Sequence, residues 1–326
     1  MKKILLLATA IMASLASFGA NEGPTVEVFY NGSTATVTIP ANLSAYVTVQ
    51  SGESSHVKLI QSSLVDETVG EFTYVLSGSS LDGEFYMEGS YKATIEMSNL
   101  TLTNPSGPAI NIQNGKRIKL SAKNETVNTL SDGVDSLYNG CVHCKGHLEL
   151  KGKGVLNVTG NSKHAIYSKE YMQVKNITLN VLGAQKDALH CKEYFLMESG
   201  TVNIQGAGDD GIQVELANDA NTGVTTLHED ENSGNFYMED GVLTISGYQN
   251  KAIKADGTIS YTGGTQNFNK TDTQEQAATN IMKLSVTTPD TQVYDLKGRK
   301  YSSTHALSKG VYLLRKDGQT SKVLVQ

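Results

Sequence analysis

The chain has 326 residues, 39% of them hydrophobic, and a formal net charge of -6. That apolar content excludes an intrinsically disordered chain and is enough for one large domain or two smaller ones. The acidic balance argues against nucleic acid, whose phosphates are met by clustered Lys and Arg, and it suits a cationic ligand or a metal ion. Thirty-one Gly against 5 Pro, abundant Val, Ile and Thr, and no sustained apolar residues at helical spacing predict an all-β chain of short strands and tight turns.

The first twenty residues, "MKKILLLATAIMASLASFGA", combine two lysines, an apolar stretch and small residues near the end. This is the layout of a secretory signal peptide, and the mature chain is expected to start near Ala20 or Asn21. No Cys stands at that boundary to carry a lipid anchor, and no later segment is apolar for long enough to span a bilayer.

Beyond residue 100 the sequence repeats. A small residue followed by an aliphatic one opens "CVHCK" at Cys141, "AIYSK" at Ala165, "ALHCK" at Ala188, "GIQVE" at Gly211 and "AIKAD" at Ala252, spaced 24, 23, 23 and 41 residues apart. A second marker keeps step: "LNVTG", "LNVLG", "VNIQG" and "LTISG" end at Gly160, Gly183, Gly206 and Gly247. The 41 is one 23-residue repeat plus an 18-residue insertion within "LANDANTGVTTLHEDENSGN". "PAINIQ" at Ala109 is an earlier copy, set apart by a longer loop containing "LSDGVDS".

A period in the low twenties allows a leucine-rich repeat or a parallel β-helix. The L-x-x-L-x-L-x-x-N frame is absent, whereas each copy holds two or three short alternating segments such as "AIYSK", "YMQVK" and "ITLNV". The reading is therefore a right-handed parallel β-helix with about 23 residues per coil, in which equivalent positions stack at about 4.8 Å. The columns Val142, Ile166, Leu189, Ile212, Ile253 and Leu148, Met172, Phe195, Phe236 face inward, as do Leu156, Leu179, Val202 and Leu243. Cys144 and Cys191 fall in one inward column with Ser168 between them, about 9.6 Å apart, which is too far for a disulfide. They are read, with Cys141, as small buried thiols rather than a metal site.

The segments "TYVLSG", "GPAINIQ" and "TLSDG", followed by "DAL", "DDGIQVE" and "NKAIKADG", resemble the secreted carbohydrate-binding parallel β-helix family, over roughly Val26 to Asn267. The resemblance implies calcium binding, plant-type polysaccharides such as cellulose and pectin, and a fold like that of β-helical pectate lyases. The family's calcium-site aspartates map onto Asp187 and Asp210. The sequence departs from the pattern at His164 and Lys251, where an acidic residue is expected.

The residues give that column a physical reading of their own. Asp187 and Asp210 stack on successive coils with Asp209 alongside, and carboxylates at about 4.8 Å must be protonated, paired or shared by a cation. Calcium takes oxygen ligands from carboxylates, carbonyls and water, all of which a turn column offers. The bland alternative is Asp-Gly turn chemistry with Lys186 or Lys251 neutralising the pair. The acidic segments with Asp132 and Asp135, and with Asp219, Glu229, Asp230 and Glu231, read either as solvated loops or as binding loops carried on a rigid scaffold.

Three outward columns complete the picture: Lys145, Lys169, Lys192, then Glu215 and Asp256; His143, Tyr167, His190, Gln213 and Lys254; and His147, Tyr171 and Tyr194. One reading is a solvated Lys-Glu face; the other is a carbohydrate-binding ladder of Lys145, Lys169, Lys192, Tyr167, Tyr171 and Tyr194 that meets uronate groups and sugar faces. The expected function is calcium-dependent polysaccharide binding outside the cell. The enzymatic alternative is a calcium-dependent lyase with Lys169 or Lys192 as base, and a structural surface protein or adhesin is a third reading.

The repeat dissolves after Gly264, and the expected division is a signal peptide 1–20, the β-helix 21–265, a polar linker 266–283 and a small β segment 284–326. "VYDLKGRKYSSTHALSKGVYLLRKDGQTSKVLVQ" resembles the C-terminal sorting domain of proteins exported by the type IX secretion system, through Val293, Tyr294, Asp295, Gly298, Arg299, Lys309, Gly310, Val311 and Tyr312. The resemblance implies contact with that machinery, and a plain β-hairpin cap is the alternative.

Overall fold

Period-2 alternation of apolar and polar residues makes three short strands per coil. The computed structural model describes residues 23–269, apart from 53, 135, 219–221, 225–227 and 229, and residues 292–325, apart from 296–298, 302–309 and 317–318. The predicted signal peptide, most of the predicted linker, and Asp135, Asp219 and Glu229 lie outside the described residues.

One coil consists of Gly140–Cys144, Leu148–Gly152 and Val155–Gly160, and the next of His164–Ser168, Met172–Lys175 and Thr178–Ala184. Each strand pairs in parallel with its counterpart one coil on: Val142 with Ile166, Leu148 with Met172, and Leu156 with Leu179. The result is an all-β solenoid of about 8 turns. The first strands form a 9-stranded sheet, and the second and third form a 16-stranded sheet that bends around the core. That bend begins in Ala93–Asn104, whose first half pairs with Ile118–Ala122 and whose second half pairs with Val127–Asp132.

The corner between second and third strands needs backbone with positive φ, supplied by Asn176 (63°), Gly200 (100°) and Gly241 (94°) in successive coils. At Gly200 a Cβ would stand 2.5 Å from the Ile177 carbonyl oxygen, so the close approach of the coil below excludes any side chain.

Stacking supplies the core that no single coil could form. Val142, Ile166, Leu189 and Ile212 have no exposed surface, nor do Leu148, Met172, Phe195 and Phe236. The Phe195 and Phe236 rings lie 5.1 Å apart and nearly parallel, at 5°. Cys141, Cys144 and Cys191 are buried free thiols, and burial pushes the Cys144 thiol up to about 12.

The solenoid begins earlier than the regular repeat. Ile110 pairs with Val142, and the ladder continues upstream through Phe85 to Val57 in coils of unequal length. Near the amino-terminal end, antiparallel hairpins at Thr25–Asn31 with Thr34–Thr38 and at Val47–Ser51 with His56–Gln61 adjoin the parallel sheets. The C-terminal segment is more than one hairpin: Gln292–Asp295, Lys300–Tyr301, Gly310–Lys316 and Gln319–Val325 form a 4-stranded antiparallel sheet.

Candidate functional site

The turn that opens each first strand stacks His164, Asp187, Asp210 and Lys251 in one column, as the strand registers require. Asp187 is only 2% exposed and Asp210 is fully buried. Each aspartate ties its coil to the next, since Asp210 N–H donates to Asp187 Oδ1 (3.0 Å) and Lys251 N–H donates to Asp210 Oδ1 (2.9 Å). Part of the column is therefore turn chemistry repeated on successive coils.

The outer oxygens are served differently. Asp187 Oδ2 lies 2.9 Å from His190 Nδ1. Burial works to raise the Asp187 pKa, but the His190 hydrogen bond and the Asp210 N–H outweigh it and hold the group below the usual carboxylate range. Asp210 Oδ2 is buried without a hydrogen-bond partner among the described residues, and the Lys254 ammonium stands 3.6 Å away. Burial and the neighbouring charges of Asp209 and Asp187 push Asp210 up. Asp209 sits nearer the surface, and one carboxylate oxygen from each of Asp187, Asp209 and Asp210 lies within 4.8 Å of the others. The three predicted metal ligands are thus brought together, with the Lys254 ammonium paired to Asp210 at their edge.

The lysine column diverges along its length. Lys145 and Lys169 are exposed, whereas Lys192 is half-buried and lies 3.4 Å from Glu215, its partner one coil on. The His143 column is an outward column that is nonetheless nearly covered: Tyr167 is 8% and His190 7% exposed. The Tyr167 ring stacks between His143 (5.3 Å, 7°) and His190 (5.3 Å, 27°), and Tyr138 of the preceding loop closes over His143 at 5.1 Å.

The third column is a continuous aromatic stack. His147, Tyr171 and Tyr194 follow at centroid spacings of 4.3 and 4.9 Å, and the stack continues through His228 (5.2 Å) to Tyr237 (4.7 Å). The faces of Tyr167, Tyr171 and Tyr194 are turned to neighbouring rings along the helix axis. With Tyr167 8% and Tyr194 2% exposed, these rings are not open platforms for sugar faces.

The two acidic insertions are not simply solvated. Asp132 is 2% exposed, and its Oδ1 accepts from Asn161 N–H at 2.5 Å. Glu231 is buried against the end of the aromatic stack, accepting from Tyr237 Oη (2.8 Å) and Ser233, with His228 Nδ1 at 2.5 Å. Sequence reasoning set these residues in loops because the insertions obscure register, and it left Tyr237 and His228 out of the stack for the same reason. It also missed His190 as a partner of Asp187, although the "DALH" spacing puts both side chains at one end of a strand.

The profile of a family described as carbohydrate-binding domain-containing protein matches residues 66–321. Comparison with curated proteins finds no match. Among solved structures, the polysaccharide lyase-like protein from C. thermocellum, determined as a gadolinium derivative, is similar with a TM-score of 0.52 and 18% identity. The alignment covers 74% of this chain and 99% of that one, and at this identity it speaks for the fold alone.

Proposed function

The chain belongs to the carbohydrate-binding domain-containing family, and from that premise we propose that it is a calcium-dependent polysaccharide-binding protein for acidic glycans, acting outside the cell. The observation that carries the calcium reading is that one carboxylate oxygen from each of Asp187, Asp209 and Asp210 lies within 4.8 Å of the others, while Asp210 Oδ2 is buried without a hydrogen bond among the described residues and has only the Lys254 ammonium 3.6 Å away. Three carboxylates that repel one another fit a hard divalent cation, which prefers all-oxygen donors. Calcium held there would offset most of the trio's charge, with the Lys254 ammonium beside Asp210 offsetting the rest, and would leave coordination positions for water or for a glycan carboxylate.

The chain's own residues supply the rest. Exposed Lys145 and Lys169 offer cations at coil spacing along the solenoid, and an extended uronate polymer laid along the axis meets several weak contacts at once. Half-buried Tyr171 lies in an adjacent column. The signal-peptide-like leader supports export, and the C-terminal sheet supports, through its sorting-domain resemblance, a contact with secretion machinery.

The test is retention of the mature chain on polygalacturonate and on a neutral glucan, each with calcium and with chelator. Calcium-dependent retention on the acidic polymer, weakened by salt and by Asp209→Asn, is the expected outcome. Equal retention with chelator and with calcium would remove the metal from the function. Release of unsaturated oligosaccharides would replace binding with lyase chemistry.

A further inference from the structure

Beside the carboxylate trio, two imidazoles meet Asp187 from the other side. Asp187 Oδ2 lies 2.9 Å from His190 Nδ1 and 3.3 Å from His164 Nδ1, and one donor atom from each residue lies within 4.8 Å of the others. The side chains are 9% exposed for each histidine and 3% for the aspartate. His190 makes a hydrogen bond to the carboxylate. His164 Nδ1 is buried and makes none among the described residues, because its approach to Asp187 lacks hydrogen-bond geometry.

We propose that His164, Asp187 and His190 form a binding site for a divalent transition-metal ion of the zinc class, sharing only Asp187 with the oxygen-only trio. Zinc binds imidazole nitrogen and carboxylate oxygen at about 2.0–2.2 Å, so donors at tetrahedral angles stand roughly 3.3 Å apart. The 3.3 Å separation of Asp187 Oδ2 from His164 Nδ1 matches that value, and the 2.9 Å hydrogen bond to His190 Nδ1 is shorter and opens slightly when an ion enters. Two nitrogen donors are foreign to calcium, which gathers 6 to 8 oxygens, but they suit zinc and its neighbours.

The surroundings fix the donors in advance. His164 and His190 ring centroids are 4.5 Å apart, and Tyr167 packs against both, at 6.0 and 5.3 Å. Glu215 Oε2 stands 3.5 Å from His190 Nε2. In the metal-free chain Nδ1–H donates to Asp187; when a metal ion replaces that proton, this carboxylate favours the tautomer protonated at Nε2, as outer-shell carboxylates do for metal-bound histidines. An ion so held would join the coil of His164 to that of Asp187 and His190, and would give the unpartnered nitrogen of His164 a role.

The test uses the mature chain without a polyhistidine tag, stripped with chelator and titrated with Zn²⁺ against a chromophoric zinc chelator, and separately with Co²⁺. The expected results are one zinc ion per chain, bound about 100-fold tighter than calcium, and visible Co²⁺ absorption bands of a low-coordinate nitrogen and oxygen site. His164→Gln should weaken zinc by about 100-fold, the upper end of what even an outer-shell loss costs. Asp209→Asn should weaken calcium and leave zinc within about threefold. His164→Gln removes no hydrogen bond at Nδ1, and circular dichroism confirms its fold; the Co²⁺ spectrum of the parent chain needs no variant at all. Zinc no tighter than calcium together with a featureless Co²⁺ spectrum, or equal zinc uptake by parent and His164→Gln, would overturn the proposal. Failure of the polysaccharide or calcium reading leaves the zinc stoichiometry, the Co²⁺ spectrum and the His164→Gln loss unchanged.

Discussion

The first strands of the coils carry two ladders on opposite faces of one backbone. Inward stand Val142, Ile166, Leu189 and Ile212, all aliphatic and all without exposed surface. Outward, in the same registers, stand His143, Tyr167, His190, Gln213 and Lys254, no two neighbours chemically alike. Yet Tyr167, His190 and Gln213 are each less than a tenth exposed. The inward ladder is held by area removed from water, for which any aliphatic of the right size serves. The outward ladder is held by particular pairs, ring on ring and imidazole on carboxylate, so each coil can differ without harming the stack. Specialisation is therefore concentrated on the outer face and at the turn beside it.

Breaking the inward ladder should have the largest effect. Phe195→Ala removes a ring that lies fully buried against Phe236 and leaves a cavity between coils that cannot collapse without moving the backbone. The expected loss is about 3–5 kcal/mol, read from the denaturation midpoint and slope, whereas Ile166→Val should cost only about 0.5–1.5 kcal/mol. Comparable losses from the two would mean that the interior is not packed as a ladder.

Breaking the turn column should come next. Asp187→Ala strands the Asp210 N–H and the His190 Nδ1 donor in a buried place, at about 1–3 kcal/mol for each donor left unpaired. Asp187→Asn keeps an acceptor oxygen and should cost less, while still weakening any cation bound there. Chemical denaturation of the metal-free chain separates these: if Asp187→Ala were neutral without metal, the column would serve binding alone.

The contrast between ladders also explains how far the sequence could be read. From Cys141 to Gly206 the coil length is nearly constant, so residue spacing alone placed Ile166 over Leu189 and Asp187 over Asp210. Upstream, Val57, Phe85 and Ile110 belong to the same ladder but lie 28 and 25 residues apart, which hid them from a search for one period. In the insertion, Glu231 looked like a surface acid because nothing in its neighbours reveals that Tyr237, Ser233 and His228 enclose it. The inward columns were legible because burial demands one residue class. The pairing of His190 with Asp187 was not, because it depends on side-chain direction, which periodicity does not report.

A pH series tests the outward stack. The His147 Nδ1 lies 2.9 Å from Glu170 Oε2 and its Nε2 3.5 Å from Glu193 Oε2. Burial opposes its protonation, but the two glutamates outweigh burial and raise its pKa to about 9. Because the folded value lies above the unfolded one, near 6.5, this contribution is full below pH 6.5 and is lost as pH rises to about 9. His147→Gln should flatten the fall in melting temperature across that window and leave the acid limb unchanged. An identical profile in parent and variant would mean that the glutamates do not hold a charged imidazole.

The smallest effect on stability is expected where the outward face is open. Lys145 and Lys169 are exposed, with no ion pair shorter than 4.0 Å among the described residues, unlike Lys192 beside Glu215. Lys145→Gln and Lys169→Gln, singly or together, should shift stability by no more than about 0.5 kcal/mol, as surface changes away from packed features do. If these ammonium groups serve an acidic polymer, the double variant should lose retention on polygalacturonate at low ionic strength and match the parent at high salt, where screening has already removed their contribution. Lys192→Gln distinguishes a local role from a ligand role, since it frees Glu215 from its cation beside His190 and so alters the turn column as well as the net charge. A double variant that keeps its stability and its retention together would remove the open lysines from the binding face and leave the acidic turn column as the place to look.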